Sequence, residues 1–491
     1  MAISEENIRL IFGLKLKQLR DEKSMSLSDL SEVSGVSISY LNEIEKGKKY
    51  PKSDKIISLA NALGSSYDQL VSLKLSRNLA PINELLNSDI IQELPFDTFG
   101  IDKSKLFDMI ANAPSRVTAF ISTLLEIARN YNMKQEHFYF ASLRSFQEMY
   151  DNYFDDIEKS VKKFCSEEEF SNKPAVDAVA LKKILTEKYK YRVEESEFEE
   201  FPALENFRSV YIAGKTPTLL VNKRLTKQQK NFLFAKEIGF QYLKYEVRPF
   251  TSSWLKVRSF EEVLNNFYAS YFAGALLINS DDLIVELDKF FAAKKWNGKS
   301  FLEIVKKFDV SAEMFLHRLS SILPKNYGVH QLFFIRYNST ITDEDINQPT
   351  KELHLSRMSN PFNKNRSEHL YRRWVTRKLL RFMVKQKKEV KENYIEAIRS
   401  RYDRGGNDYF CISVLRADKP ISHSEDSVTL GFVISEAIKK KIKFLDDDKI
   451  FFQDVESSFE DEMAPEGELI AQSIMDEREQ AVKSLVKRYR S

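Results

Sequence analysis

The 491-residue sequence has few of the side chains on which metal frameworks and disulfide scaffolds depend. Cys165 and Cys411 are its only cysteines, and none of its six histidines lies three or four residues from another. Zinc sites need cysteines or histidines at short spacings, and disulfide scaffolds need several cysteines. We therefore expect neither a metal site nor a disulfide framework, and the low cysteine count favours a reducing compartment.

The sequence also lacks long apolar runs and a large excess of one charge. No stretch approaches the length of apolar sequence that a membrane helix needs, and Met1 precedes Ala-Ile-Ser-Glu-Glu, unlike a secretory leader. We therefore expect a cytoplasmic protein without membrane contact. The 75 basic and 72 acidic residues give a net charge of +3, so any basic surface that binds nucleic acid must be local.

Glycine and proline are sparse, at 14 and 13 residues, which favours long helices. Five β-branched or aromatic runs nevertheless predict strands: RSVYI and TLLVN as a hairpin, then HQLFFIRYN, YFCISVLRA and SVTLGFVI. The predicted fold class is therefore α+β and mostly helical. The length predicts several modules, which we place at residues 1–75, 76–175 (a helical linker and dimerisation region), 176–340 and 341–491.

The first module carries the local signals of two short helices around a tight corner. Ser26, followed by Asp29, indicates a helix start of the capping-box kind. Gly35 marks the corner, and Ser37 begins the next helix, which Gly47 ends. Two short helices around such a glycine turn are typical of a helix-turn-helix, here within a predicted five-helix module.

The segment LSDLSEVSGVSISYLNEIEKGKKYPKSDKIISLANALGSSYDQL resembles the repressor/Cro-type (XRE-type) helix-turn-helix family. The resemblance implies that the helix from Ser37 to Lys46 enters the major groove of double-stranded DNA. It implies base contacts by Ile38, Ser39, Asn42 and Glu43. It implies phosphate contacts by Ser37, Tyr40, Lys46, Lys48 and Lys49. The alternative for the basic run that begins at Lys46 is an ordinary solvated charged face.

The segment VNKRLTKQQKNFLFAKEIGFQYL resembles the ImmA/IrrE-type metallopeptidases, as does the later helix EEVLNNFYASYFAGALLIN. Those enzymes hold zinc with His-Glu-x-x-His, but the corresponding positions here are Lys236, Glu237 and Phe240. A lysine cation repels zinc and phenylalanine has no donor atom, so we expect no metal and no peptidase activity. The alternative for Glu237 is an ordinary helix glutamate paired with a cation such as Arg224.

Across most of its length the chain resembles the short-chain fatty acyl-CoA regulators, which join a helix-turn-helix, a peptidase-like domain and a sensor. The resemblance implies no cofactor, but an acyl-CoA effector that needs cations beside aromatic side chains. The candidate ligand contacts are Arg357, Asn360, Arg372, Arg373 and Trp374. The last three lie in a predicted helix from Ser367 to Val390, and a solvated basic helix is the alternative.

Together these features predict a DNA-binding transcriptional regulator that acts as a homodimer and senses a small molecule. Two alternatives stay open. In the first, the chain is a peptidase that cleaves a repressor and whose catalytic residues the sequence does not reveal. In the second, it is a phage- or antitoxin-related regulator whose carboxy-terminal part binds a protein partner.

Overall fold

The computed structural model divides the chain into two compact units, Met1–Ala141 and Ser142–Ser491. The residues that the structure describes are 5–72, 135–196, 198, 201, 204, 207–252, 257–339, 349–356, 371–377, 379–380, 383, 393–402, 407–415, 425–454 and 481–487. Within them, no helix combines the length and the apolar character that crossing a membrane would require. Helices and sheets together confirm the α+β fold class.

The amino-terminal unit contains the five predicted helices. They are α1 (Glu5–Glu22), α2 (Leu27–Ser34), α3 (Ile38–Glu45), α4 (Ser53–Ala62) and α5 (Tyr67–Val71). The predicted capping box is confirmed: Asp29 N–H donates to Ser26 Oγ over 3.1 Å, and Ser26 N–H donates to Asp29 Oδ2 over 2.8 Å. Gly35 then adopts the left-handed conformation, with φ +67°, that the corner between α2 and α3 requires.

A close crossing between α1 and α3 fixes the second helix of the pair. A Cβ atom on Gly13 would lie 2.2 Å from the carbonyl oxygen of Ile44, so only glycine permits this approach. Glycine inside a helix costs about 1 kcal/mol relative to alanine, and the close contact explains its presence. Leu41 and Ile44 are fully buried in the core beneath.

The carboxy-terminal unit begins with a helical layer and a small sheet. Helix α6 (Gln135–Met149) spans the boundary between the two units. The α-helices that follow it among the described residues are α7 (Asp155–Glu167), α8 (Ala178–Lys183), α9 (Lys227–Tyr242), α10 (Phe260–Leu277), α11 (Ser280–Ala292), α12 (Gly298–Phe308), α13 (Ala312–Ile322) and α14 (Glu436–Lys441). A buried ion pair joins two of them: Arg318 Nη1 lies 2.6 Å from Glu158 Oε1, and Tyr271 Oη from α10 donates to the same oxygen over 2.8 Å.

The small sheet has three strands in the order β1-β3-β2. They are β1 (Arg192–Ser196), β2 (Ser209–Ile212) and β3 (Thr218–Asn222). The predicted hairpin is confirmed, because β2 and β3 pair antiparallel. The parallel pairing of β1 with β3 was not predicted.

The larger sheet has six strands in the order β5-β4-β8-β7-β6-β9. They are β4 (Gln331–Ser339), β5 (Pro349–Ser356), β6 (Tyr394–Tyr402), β7 (Asn407–Leu415), β8 (Glu425–Val433) and β9 (Phe451–Asp454). Strand β4 pairs with β5 on one side and with β8 on the other. The expected module boundary at residue 340 therefore falls inside this sheet, and a boundary before β4 agrees better with the pairing.

A helical segment covers one face of the larger sheet. Residues 371–377, 379–380 and 383 are helical, within the predicted helix, and they pack on side chains of β4, β6 and β7. The expected linker and dimerisation region at 76–175 lies outside the described residues up to position 134. From there on it contains α6 and α7.

Candidate functional site

Helix α3 turns one face to the core and the other to solvent. Ser37, Ile38, Ser39 and Asn42 are exposed, and the Ile38 side chain keeps 49% of its accessible surface. An exposed branched apolar side chain beside polar ones is what a major-groove helix offers to thymine methyls and base edges. Of the four predicted base-contacting residues, only Glu43 is partly buried.

The position of α3 is fixed at both ends. At its start, Tyr40 N–H donates to Ser37 Oγ over 3.4 Å. At its end, Arg20 of α1 holds Glu45 through two nitrogens, with Nε–Oε1 at 2.6 Å and Nη2–Oε2 at 3.0 Å. Arg20 Nη1 also donates to the carbonyl of Met25, just before α2. One side chain therefore connects α1, the α2 start and the end of α3.

Three lysines come directly after α3 in the chain. Lys48 and Lys49 are exposed and Lys46 is partly buried. Gly47 has φ +70° and lies so close to α1 that a Cβ atom there would meet Leu10 Cα at 3.1 Å. The N–H groups of Lys48 and Lys49 both donate to the carbonyl of Glu43, at 2.9 and 3.3 Å. This turn holds the two lysines beside the end of α3.

Tyr40, the remaining predicted phosphate contact, is partly buried and packs on the helix-turn-helix core. Its hydroxyl lies 3.5 Å from the carbonyl oxygen of Tyr50, at the limit of hydrogen-bond distance. The structure therefore places Tyr40 against the turn that carries the lysines.

The peptidase-like site surrounds Glu237 on α9. Its carboxylate is buried and accepts from Arg248 Nη2 at 2.6 Å and from Tyr191 Oη at 3.1 Å. The suggested pairing with Arg224 is therefore wrong, because Arg248 is the ion-pair partner. Sequence reasoning missed Arg248: the arginine follows α9 in a loop, where helical periodicity gives no signal for a buried contact.

Arg248 also lies between two aromatic rings. Its guanidinium carbon is 3.8 Å from the ring centroid of Phe240 and 4.0 Å from that of Tyr211. Phe240 holds the position of the second zinc-binding histidine in the peptidase motif. The guanidinium of Arg248 therefore lies next to the Glu237 carboxylate, and that carboxylate and the faces of two aromatic rings stabilise its charge.

These residues do not fit a zinc ion. A guanidinium carries positive charge and offers no lone pair, and Lys236 is a further cation in the first histidine position. On the helix α10, Glu261 is exposed, while Glu262 accepts the N–H of Arg258 at 2.9 Å and so closes the helix start. Within the described ranges, no group of three or more His, Cys, Asp or Glu side chains could hold a metal ion.

Three of the five predicted ligand contacts of the last module lie in the described helical segment, and all three contact other parts of the protein. Arg372 is buried and donates to Tyr409 Oη from two nitrogens at 3.3 Å. Arg373 forms a two-fold pair with Glu352, at 2.8 and 2.6 Å. Trp374 is 6% exposed. The segment is therefore no solvated basic helix. Arg357 and Asn360 lie outside the described residues.

The two short helices α2 and α3, joined at the left-handed Gly35, form a helix-turn-helix. Residues 16–70 match the family model for the helix-turn-helix, here of XRE type, and residues 186–320 match that of the IrrE N-terminal-like domain. The chain belongs to the HTH-type transcriptional regulators.

Two relatives carry this assignment. The uncharacterised HTH-type transcriptional regulator y4dJ of Sinorhizobium fredii is 33% identical over 66 residues, which cover 13% of this chain and 86% of y4dJ. The HTH-type transcriptional repressor RghR of Bacillus subtilis is 39% identical over 61 residues, which cover 12% of this chain and 45% of RghR. The match thus spans less than half of the Bacillus repressor.

A solved structure described as a Mycobacterium tuberculosis transcriptional regulator also aligns with the chain. The identity is 16% and the TM-score 0.44, over 64% of this chain and 88% of that one.

Proposed function

We propose that the chain acts as a homodimer in the cytoplasm, reads a specific DNA sequence with α3, and changes its DNA affinity when the carboxy-terminal unit binds a small molecule. The observation that carries the proposal is the solvent exposure of Ile38, Ser39 and Asn42 on a helix whose other face is locked to α1. A single helix-turn-helix makes few contacts, so two copies on a two-fold symmetric operator supply the affinity.

Within this proposal the residues of α3 and of the turn after it have different roles. Asn42 reads adenine, Glu43 the amino group of cytosine, and Ile38 a thymine methyl, each by the chemistry of its side chain. Ser37, Lys46, Lys48 and Lys49 contact phosphates and set the register without reading sequence. Tyr40 supports the turn that presents the lysines.

The experiment is selection of bound sequences from a random DNA pool by the full chain and by Asn42→Ala. The proposal expects one two-fold symmetric motif for the wild type and relaxed preference at one symmetric pair of positions for the variant. Sedimentation of the complex tests the dimer. Identical motifs from both proteins would remove Asn42 as a reader, and a monomer on operator DNA would refute the dimer.

We propose further that the 186–320 domain performs no metallopeptidase chemistry, supported by the ion pair of Glu237 with Arg248. The zinc content of protein purified without added metal distinguishes a domain without metallopeptidase chemistry from a zinc peptidase. Stoichiometric zinc that disappears in Glu237→Gln would contradict our proposal.

For the small molecule we propose an acyl-CoA, on the resemblance alone. Arg372, Arg373 and Trp374 already contact other parts of the protein. An acyl-CoA would therefore have to displace these contacts or bind to other residues. Titration of operator-bound protein with a short-chain acyl-CoA tests this: an unchanged DNA affinity would remove acyl-CoA as the effector.

A further inference from the structure

Exposed lysines gather in two stretches of the carboxy-terminal unit. One is residues 294–299, between α11 and the start of α12, and the other is residues 440–449, from the end of α14 onward. Lys441 in the second stretch donates to the carbonyl oxygen of Asn326 over 3.2 Å. The other lysines of both stretches are exposed, and together we call them the lysine patch: Lys294, Lys295, Lys299, Lys440, Lys443 and Lys449.

One carboxylate joins the two stretches. Asp447 Oδ2 accepts the N–H of Trp296 over 2.7 Å, and Asp447 Oδ1 accepts the N–H of Lys449 over 3.2 Å. Trp296 follows Lys295 directly in the chain. The same side chain therefore holds the backbone next to Lys295 and the backbone of Lys449.

An aromatic contact joins the stretches a second time. The centroid of the Trp296 ring lies 5.5 Å from that of Phe444, which is fully buried, and 5.7 Å from that of Phe410 on β7. These rings pack on the core, while Lys295 and Lys443, the residues just before Trp296 and Phe444, are exposed. The core of the unit therefore fixes the backbone that carries the lysines of the patch.

The lysines of the patch outnumber the acidic residues of the same stretches. Residues 294–299 contain no acid, and residues 440–449 contain three aspartates. Of these, Asp446 pairs with Arg399 over 3.3 Å, which leaves Asp447 and Asp448 to oppose six lysines. In the part of the chain that the structure describes, no salt bridge involves a lysine of the patch. This excess of positive charge is larger than the net charge of +3 of the whole chain, so the rest of the sequence has no net positive charge.

A polyanion with regularly spaced charges fits such a surface. Double-stranded DNA carries about one negative charge for every 1.7 Å of its axis, and lysines bind its phosphates whatever the base sequence. DNA is favoured over other polyanions because the same chain contains a helix-turn-helix, which brings a duplex to the protein.

We propose that the lysine patch is a second DNA-contacting surface, which binds phosphates of the operator duplex outside the bases that α3 reads. The inference goes beyond the proposed function. It rests on that function only in taking double-stranded DNA as the ligand of the chain.

The test compares the affinity of the full chain for two duplexes over a range of salt concentrations. The short duplex ends at the motif that the wild type selects, and the long duplex extends it by about two helical turns on each side. We expect the wild type to bind the long duplex more tightly, with an affinity that falls more steeply with salt, because more phosphates are contacted.

A glutamine variant removes four charges of the patch: Lys294→Gln, Lys295→Gln, Lys443→Gln and Lys449→Gln. It should bind the long duplex at least about tenfold more weakly and reduce the slope of log affinity against log salt by about 3, since each phosphate contact contributes roughly 0.9. Its affinity for the short duplex should stay close to that of the wild type. Arginine at the same four positions keeps the charge and should keep the affinity for the long duplex.

The matched control changes four exposed lysines of the same unit outside the patch: Lys173→Gln, Lys182→Gln, Lys190→Gln and Lys215→Gln. It alters the net charge of the chain by the same amount and should bind both duplexes like the wild type. All substituted residues are exposed, so every variant should also melt at the temperature of the wild type.

Two results would overturn the proposal: an unchanged affinity of the glutamine variant for the long duplex, or an equal loss in the control variant, which assigns the effect to net charge. The first result, with a motif still selected, retains the proposed function and removes the patch. If the wild type selects no motif, the same comparison is made with long duplexes of arbitrary sequence. Binding that is lost only in the glutamine variant then retains the patch and removes sequence reading by α3.

Discussion

Replacement of Glu237 tests whether an internal ion pair has taken over the peptidase-like site. The side chains of Glu237 and Arg248 are 4% and 5% exposed, with Oε1 and Nη2 2.6 Å apart. Removing one partner of such a pair leaves a buried charge without compensation, which costs about 3–5 kcal/mol. The rings of Phe240 and Tyr211 retain about 2 kcal/mol of attraction for the guanidinium, so Glu237→Met should lower the unfolding free energy by about 2 kcal/mol.

The loss of unfolding free energy should depend on which side chain replaces Glu237. Glu237→Gln keeps a hydrogen-bond acceptor for Arg248 and loses only the charge, so its loss should be smaller than that of Glu237→Met. The double variant Glu237→Met, Arg248→Met removes both charges and should recover to within about 1 kcal/mol of the wild type, because apolar replacement of a whole buried pair is often neutral.

Urea unfolding followed by tryptophan fluorescence measures these differences. The unfolding transition of the Ser142–Ser491 unit is the one to compare between variants, since the chain has two units. Glu261→Met on α10 is the control, because Glu261 is exposed and should change stability by less than about 0.5 kcal/mol. A loss in Glu237→Met no larger than in the control, or a double variant as unstable as Glu237→Met, would refute the reasoning.

Three further outcomes are expected. Lys48→Ala combined with Lys49→Ala should weaken binding equally for all DNA sequences and reduce the slope of log affinity against log salt by about 2; a sequence-dependent loss would contradict phosphate contact. Ser26→Ala removes the α2 cap and should cost about 1 kcal/mol in urea unfolding, with the exposed Ser28→Ala as control. Burial raises the pKa of the Cys165 thiol to about 11 from 9.0, so at pH 8 its thiolate, and with it its rate of alkylation, should be about 100-fold lower than in the unfolded chain.

The amino-terminal unit was predictable because its signals are local. The Ser26–Asp29 capping box and the glycine at position 35 specify a helix start and a corner within a few residues, and the structure confirms both. What sequence could not indicate is Gly13, whose role depends on α3 lying against α1. A glycine inside a helical pattern looks like a weakness until the approaching backbone is known.

In the carboxy-terminal unit the apolar strands were predicted and the polar ones were missed. Strand β1 reads RVEES, without the alternation of a half-buried strand, because it lies at the edge of its sheet. The environment of Glu237 was missed for a related reason. Arg248 reaches it only because the loop after α9 returns to β2, where Tyr211 N–H donates to the carbonyl of Phe250 over 2.7 Å.

The place of β4 within the larger sheet has a practical consequence. A fragment that stops at residue 340 would carry away a strand whose two edges are both occupied in the whole protein, by β5 and by β8. Such a fragment would present two rows of unsatisfied backbone groups and should aggregate, and the remainder would be left with a gap in its sheet. A chimaera that replaces the carboxy-terminal module therefore keeps this sheet whole only if the junction lies upstream of Gln331.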